Sequence, residues 1–172
     1  RLEDREELPR CLSRLDERPL AGTWLGAAAL KWLRARVCML AFDVDAALPL
    51  LEGARQALGG LGIWWQEDAW IYLGQVQLMA GQRSRAQALL GELQARCQGH
   101  DKPMPRAAAL GVEALLARFD GRTPLATALL ERARSVAAGS VLEPTLSMLL
   151  STWRHGGPDA TAWHAPPLAP AP

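Results

Sequence analysis

WIYLGQVQLMAGQRSRAQALLGEL, residues 70–93, is the stretch that decides the fold. Its second half places Ala86, Leu90 and Leu93 at positions i, i+4 and i+7, which share one face of an α-helix. Polar and charged residues occupy the opposite face, so an amphipathic helix with one buried side is predicted there. The residues before Gly81 are apolar almost all round and predict a second helix that pairs with it.

The apolar trio recurs at a nearly constant spacing, which indicates an internal repeat. Shifts of 39 and 40 residues lead from one copy to the next. The equivalent trios are Ala47, Leu51 and Ala54; Ala86, Leu90 and Leu93; Ala126, Leu130 and Ala133; and, one shift earlier, Leu8, Leu12 and Leu15. A small residue stands at matching positions in the preceding helices, at Ala35, Gly74 and Ala114. Small side chains let a neighbouring helix approach closely.

These patterns predict an all-α chain, since no stretch alternates in the manner of a strand. The predicted helices cover 4–17, 23–41, 46–58, 63–80, 84–98, 104–119, 124–138 and 143–154. Ser84 and Thr123 are predicted N-caps, with Pro124 at the first helical position and Gly99 just past a helix end. The repeat domain is therefore predicted over 1–154, followed by a Pro/Gly-rich tail or linker over 155–172.

Composition excludes several classes of function. A net charge of +1 is too small to collect nucleic acid or an anionic membrane, and no apolar run is long enough to span a bilayer. Cys11, Cys38 and Cys97 are odd in number and widely spaced, which is typical of reduced thiols in the cytoplasm. The chain begins at Arg1 and is expected to be a piece of a longer protein.

One motif carries a resemblance to a known superfamily. It comprises Trp70-x-x-Leu73-Gly74-x-x-Gln77 followed by Gly81, Ala86 and Leu90. This resembles the tetratricopeptide pattern, with Gln77 in place of the usual aromatic residue and a longer period than the usual 34. The resemblance implies an α-α superhelix, a right-handed stack of antiparallel helix pairs whose first helices line a concave surface.

A period near 40, rich in Ala, Leu and Arg, resembles the helical arm of MalT-type bacterial transcriptional regulators. This resemblance implies a non-catalytic scaffold or sensor that binds a protein or peptide, with a small-ligand effector domain using the apolar groove as the alternative. It also leaves self-association open. The ATPase motif of such regulators is absent from this chain, and no helix has a basic recognition face.

The tetratricopeptide register implies a groove across three first helices, formed by residues one, five and eight places after the Trp70 position. These residues are Trp32, Arg36 and Met39; Ile71, Gln75 and Leu78; and Gly111, Leu115 and Arg118. They describe an apolar strip edged by Arg36 and Arg118, suited to an apolar segment with an acidic residue or terminus. For Ile71 and Leu78, a place in the core is an equal alternative.

Other candidate sites are weaker. Trp64 and Trp65 flank a loop and fit an interaction surface and the core equally well. His100, His155 and His164 lie at no ligand spacing with one another or with a cysteine, so no metal site is expected. Cys38 and Cys97 are predicted to be small core residues. No nucleophile motif or facing carboxylate pair is present, so neither an enzyme nor a cofactor is expected.

Overall fold

The computed structural model describes residues 23–40, 43–58, 66–98 and 102–154, and these are helical with no strand among them. The helices are α1 (Trp24–Leu40), α2 (Val44–Leu58), α3 (Gln66–Met79), α4 (Arg83–Cys97), α5 (Pro103–Phe119), α6 (Thr123–Val136) and α7 (Glu143–Arg154). Each predicted helix in this part of the chain is present, with both ends within three residues of the prediction. The helix predicted over 4–17 lies outside the described residues, as does the tail.

The faces predicted to be buried form the core. The nine described residues of the trios are at most 5% exposed, and seven of them have no accessible surface. The small residues Ala35, Gly74 and Ala114 are also buried. The residues that recur every 39 or 40 positions in the sequence are therefore the ones that are buried.

Three helix-to-helix turns contain the same type of backbone hydrogen bond. The Asp43 N–H donates to the Cys38 carbonyl at 2.8 Å, and the Gln82 N–H donates to the Gln77 carbonyl at 2.7 Å. Arg122 donates to the Ala117 carbonyl in the same way, at 2.8 Å. Each bond runs from a residue to the carbonyl five positions earlier, which is the closing bond of a Schellman turn. Their spacings of 39 and 40 residues equal those of the buried trios.

A glycine completes two of these turns. Gly81 and Gly121 have φ angles of +71° and +76°, and their N–H groups donate to the Leu78 and Arg118 carbonyls at 2.9 Å each. A side chain is costly in this left-handed conformation, whereas glycine adopts it freely. The glycines therefore fix where α3 and α5 end.

The predicted N-caps are wrong by one or two positions. The residues before α4 and α6 are Gln82 and Arg122, neither of which makes a side-chain capping bond, and Pro124 is the second residue of α6. Only one residue separates each turn glycine from the next helix, so the turn itself sets the helix start. Side-chain caps occur instead at Thr23 and Asp43, which accept bonds from the N–H groups three residues later at 3.0 Å.

The chain divides into two compact units, residues 1–76 and residues 77–172. In the first unit α1 packs against α2, and the buried side chains of Ala28 and Leu58 form a cluster covered by Trp32. In the second unit α5 contacts both α4 and α6, and α7 contacts α6. Contact on two sides explains why most of α5 is buried. Within the described ranges, no helix has both the length and the apolar character needed to cross a membrane.

An ion-pair network joins two turns of the second unit. The Arg83 guanidinium donates two hydrogen bonds to the Asp120 carboxylate, each 2.9 Å long, and Arg122 donates a third at 3.0 Å. The hydrogen bonds from Arg83, followed by its charge and the contacts of Arg122, hold the pKa of Asp120 below its ordinary value. The network links the start of α4 to the end of α5.

Overfilling the core beside the second trio is expected to destabilise the fold. Ala86 has no accessible surface, so Ala86→Leu should lower the free energy of unfolding by about 1–3 kcal/mol. Ala88→Leu is the control, because Ala88 is exposed on the same helix and should change stability by no more than about 0.5 kcal/mol. Urea denaturation measures both. Equal stability of the two variants would show that the buried face of α4 is misassigned.

Adding a methyl group to two glycines should have opposite effects. Gly121→Ala forces a side chain into the left-handed region and should cost about 1–2 kcal/mol. Gly91→Ala, within α4, meets no atom within 4 Å and should stabilise the chain by about 0.5–1 kcal/mol. Thermal melts of the two variants provide the comparison. A stabilising Gly121→Ala substitution would rule out the turn described above.

The Asp120 network should stabilise the fold only above acidic pH. A carboxylate whose pKa is lowered by folding adds stability that is fully present above its unfolded pKa of about 3.9 and is lost as pH falls through the lower folded pKa. Asp120→Asn should therefore melt a little below the parent at pH 7, and the gap should narrow as the pH falls below about 4. Arg83→Gln should show the same pH dependence of its melting temperature. A gap that stays constant with pH would exclude this role.

Candidate functional site

The candidate site lies on α1, where Trp32, Arg36 and Met39 are spaced i, i+4 and i+7. All three side chains are half-buried, so each keeps some accessible surface. We call them the α1 strip. They belong to the predicted groove, and helical spacing places them on one face. The helix that presents them is capped by Thr23 and packs on α2 through Ala28 and Trp32.

The Arg36 guanidinium lies over two aromatic rings. Its central carbon is 5.1 Å from the ring centroid of Trp32, one turn earlier on α1, and 5.2 Å from that of Tyr72 on α3. Tyr72 is 5% exposed and is therefore enclosed by neighbouring residues, whereas Trp32 is only partly buried. Both distances are within the range of cation–π attraction. Two rings on different helices thus contact the same guanidinium.

Arg36 makes no hydrogen bond or ion pair with the residues that the structure describes; its interactions there are the two ring contacts. A guanidinium carries five N–H donors, and ring faces do not replace carboxylate acceptors for them. Helix α1 contains Lys31, Arg34 and Arg36 and neither Asp nor Glu, whereas α2 and α3 carry two carboxylates each. The charges around the site are therefore mixed, and the Arg36 guanidinium keeps donors for a further acceptor.

The other predicted groove residues are placed differently. Ile71, Leu78 and Leu115 have no accessible surface and belong to the core, which for Ile71 and Leu78 was the alternative reading. Leu115 is enclosed because α5 is packed on both sides. In this conformation none of the three offers surface to a partner. Gln75, on the same helix as Tyr72, is half-buried and stays accessible.

Arg118, the second predicted edge of the groove, is 5% exposed and thus buried rather than at an edge. Its guanidinium carbon lies 5.0 Å from the ring centroid of Trp153 on α7. Its Nε atom has no hydrogen-bond partner, and the buried Gln77 Oε1 atom in the same unit also lacks one. Arg118 therefore joins α5 to α7 by stacking on an aromatic ring.

Sequence reasoning missed the two aromatic residues that hold these arginines, Tyr72 and Trp153. Both contacts join residues about 35 positions apart on different helices, and a local pattern carries no signal for such a pairing. Tyr72 follows the predicted groove residue Ile71 by one position, which turns it about 100° around the helix. Trp64 and Trp65 lie outside the described residues, so their role stays a prediction.

Both described cysteines have a raised pKa. Burial, followed by the charge of Asp43, raises the pKa of Cys38, which lies on α1. Burial also raises the pKa of Cys97, against a smaller opposing effect of Arg106. A thiol with a raised pKa stays protonated at neutral pH. Within the described part of the chain no cluster of metal-ligating side chains occurs, and the three histidines lie outside it.

Comparison of the chain with protein-family models, curated proteins and solved structures found no significant match in any of the three.

Proposed function

We propose that the chain is a non-catalytic scaffold or sensor domain that binds a protein or peptide along the α1 strip. In this proposal the helices form a tetratricopeptide-like, right-handed stack of antiparallel pairs. The chain would be part of a larger bacterial regulator, as its resemblance to MalT-type arms implies.

The helix order supports a stack of pairs. Three turns share the same closing hydrogen bond at spacings of 39 and 40 residues, and each turn is followed by a helix with a buried trio. A unit of two helices cannot bury both of its apolar sides, so repeated pairs stabilise one another by stacking. The α4–α5–α6–α7 contacts of the second unit have the sequential order that stacking requires.

The observation that carries the binding role is the accessibility of the α1 strip. It combines a tryptophan, an arginine and a methionine on one helical face, and these residue types are enriched where proteins bind one another. Trp and Arg also dominate the binding energy of measured interfaces. The strip is thus a described surface with the residue types that a partner would bind.

A cytoplasmic location belongs to the same proposal. Cys38 and Cys97 are free thiols in the structure, and thiols persist in reducing compartments.

Truncating the strip should weaken partner binding while leaving the fold intact. Peptides would first be selected from a random display library on the 172-residue chain. Met39→Ala should then reduce their affinity about 10-fold, the effect of losing about 1.4 kcal/mol. Met148→Ala is the matched control, because Met148 is an exposed methionine on α7, 46% accessible, and should leave affinity unchanged. Melting temperatures of both variants report on folding.

The outcomes separate the candidate functions. If a folded chain selects no peptide, the scaffold proposal is wrong. If Met148→Ala lowers the affinity of the selected peptides and Met39→Ala does not, the α1 strip is not their binding surface. A small apolar molecule that raises the melting temperature of a chain that binds no peptide would favour the alternative effector-binding role.

A further inference from the structure

We propose that Arg36 is a receptor for the side-chain carboxylate of an internal Asp or Glu in the bound segment, with an apolar residue on each side of that acid. The inference rests on the proposed peptide-binding function and names the chemistry that the α1 strip recognises.

The first argument is the state of the Arg36 donors. The guanidinium is half-buried over the Trp32 and Tyr72 rings and has no acceptor among the described residues. None of the Arg36 nitrogens is both buried and without a partner, so its N–H donors reach solvent and are open to an incoming acceptor. A carboxylate that arrives with a partner would satisfy them through two parallel hydrogen bonds.

The charge of Arg36 itself favours the same occupant. Arg36 has no carboxylate partner among the described residues, so it attracts an acidic side chain. Recognition of phosphate groups usually relies on clusters of arginines converging on one point. Here a single guanidinium lies over two rings, an arrangement suited to one planar carboxylate.

The third argument identifies the source of the carboxylate. Trp32 lies one turn before Arg36 and Met39 lies one turn after it, about 6 Å and 4.5 Å along the helix axis. Apolar contacts are thus available on both sides of the guanidinium. A segment that uses both must continue past the acid in both directions, so the acid is an internal side chain and not a chain terminus.

Three synthetic peptides test this inference. The first is acetyl-Leu-Ala-Glu-Ala-Leu-amide, which has an internal acid and no charged end. The second replaces Glu by Gln, and the third is the Gln peptide with a free C-terminal carboxylate. Affinities for the 172-residue chain would be measured by NMR titration, following the Nε–Hε resonance of Arg36.

The Glu peptide should bind at least 5-fold more tightly than either Gln peptide and should shift the Arg36 resonance. Arg36→Gln should remove this preference while both blocked peptides keep the weaker affinity supplied by Trp32 and Met39. Arg36→Lys retains the charge without the two-pronged donor geometry and should keep only part of the preference. Circular dichroism melts verify that both variants fold.

The failures are distinguishable. If the blocked Glu and Gln peptides bind equally and Met39→Ala weakens both, the strip binds peptides and the carboxylate inference is wrong. If the free C-terminal carboxylate gives the tightest binding, the internal source is wrong. If no peptide binds to the folded parent chain, both this inference and the peptide-binding proposal fail.

Discussion

The closing hydrogen bond of the helix-to-helix turn is the constraint on which the other features depend. It reverses the chain within a few residues, and after α1 and α5 the next helix packs against the one that has just ended. Because the turns after α1, α3 and α5 close in the same way, the helices that follow them begin at equivalent positions. The buried trios then fall on the same face of each of these helices.

The number of helices that pack against a given helix decides whether its side chains stay accessible to a partner. Helix α5 is contacted by α4 and α6, and its side chains are consequently committed to the core. Helix α1 packs on α2 and keeps Trp32, Arg36 and Met39 partly accessible. Side chains of similar chemistry thus have different roles. Arg36 stays accessible between two rings, whereas Arg118 is buried against Trp153.

Local periodicity was enough to predict the helices and their buried faces, because burial at Leu51, Leu90 or Leu130 follows from a pattern within one helix. It was not enough to separate core from groove at Leu115, since that depends on how many helices surround α5. The same limit applies to the Arg36–Tyr72 contact, which joins distant parts of the chain. The caps were misplaced because Ser84 and Thr123 are favourable cap types, while the glycine turns had already fixed the helix starts.

The stacking of Arg118 on Trp153 has a consequence for the way α7 is attached. A contact that involves a buried guanidinium is only weakly screened by salt. Added salt would thus leave the Arg118–Trp153 contact nearly unchanged, although it would weaken the surface ion pair between Arg154 and Glu131. As salt rises, the end of α7 therefore depends less on its ion pair with α6 and more on its ring contact with α5, in addition to the packing of its buried leucines.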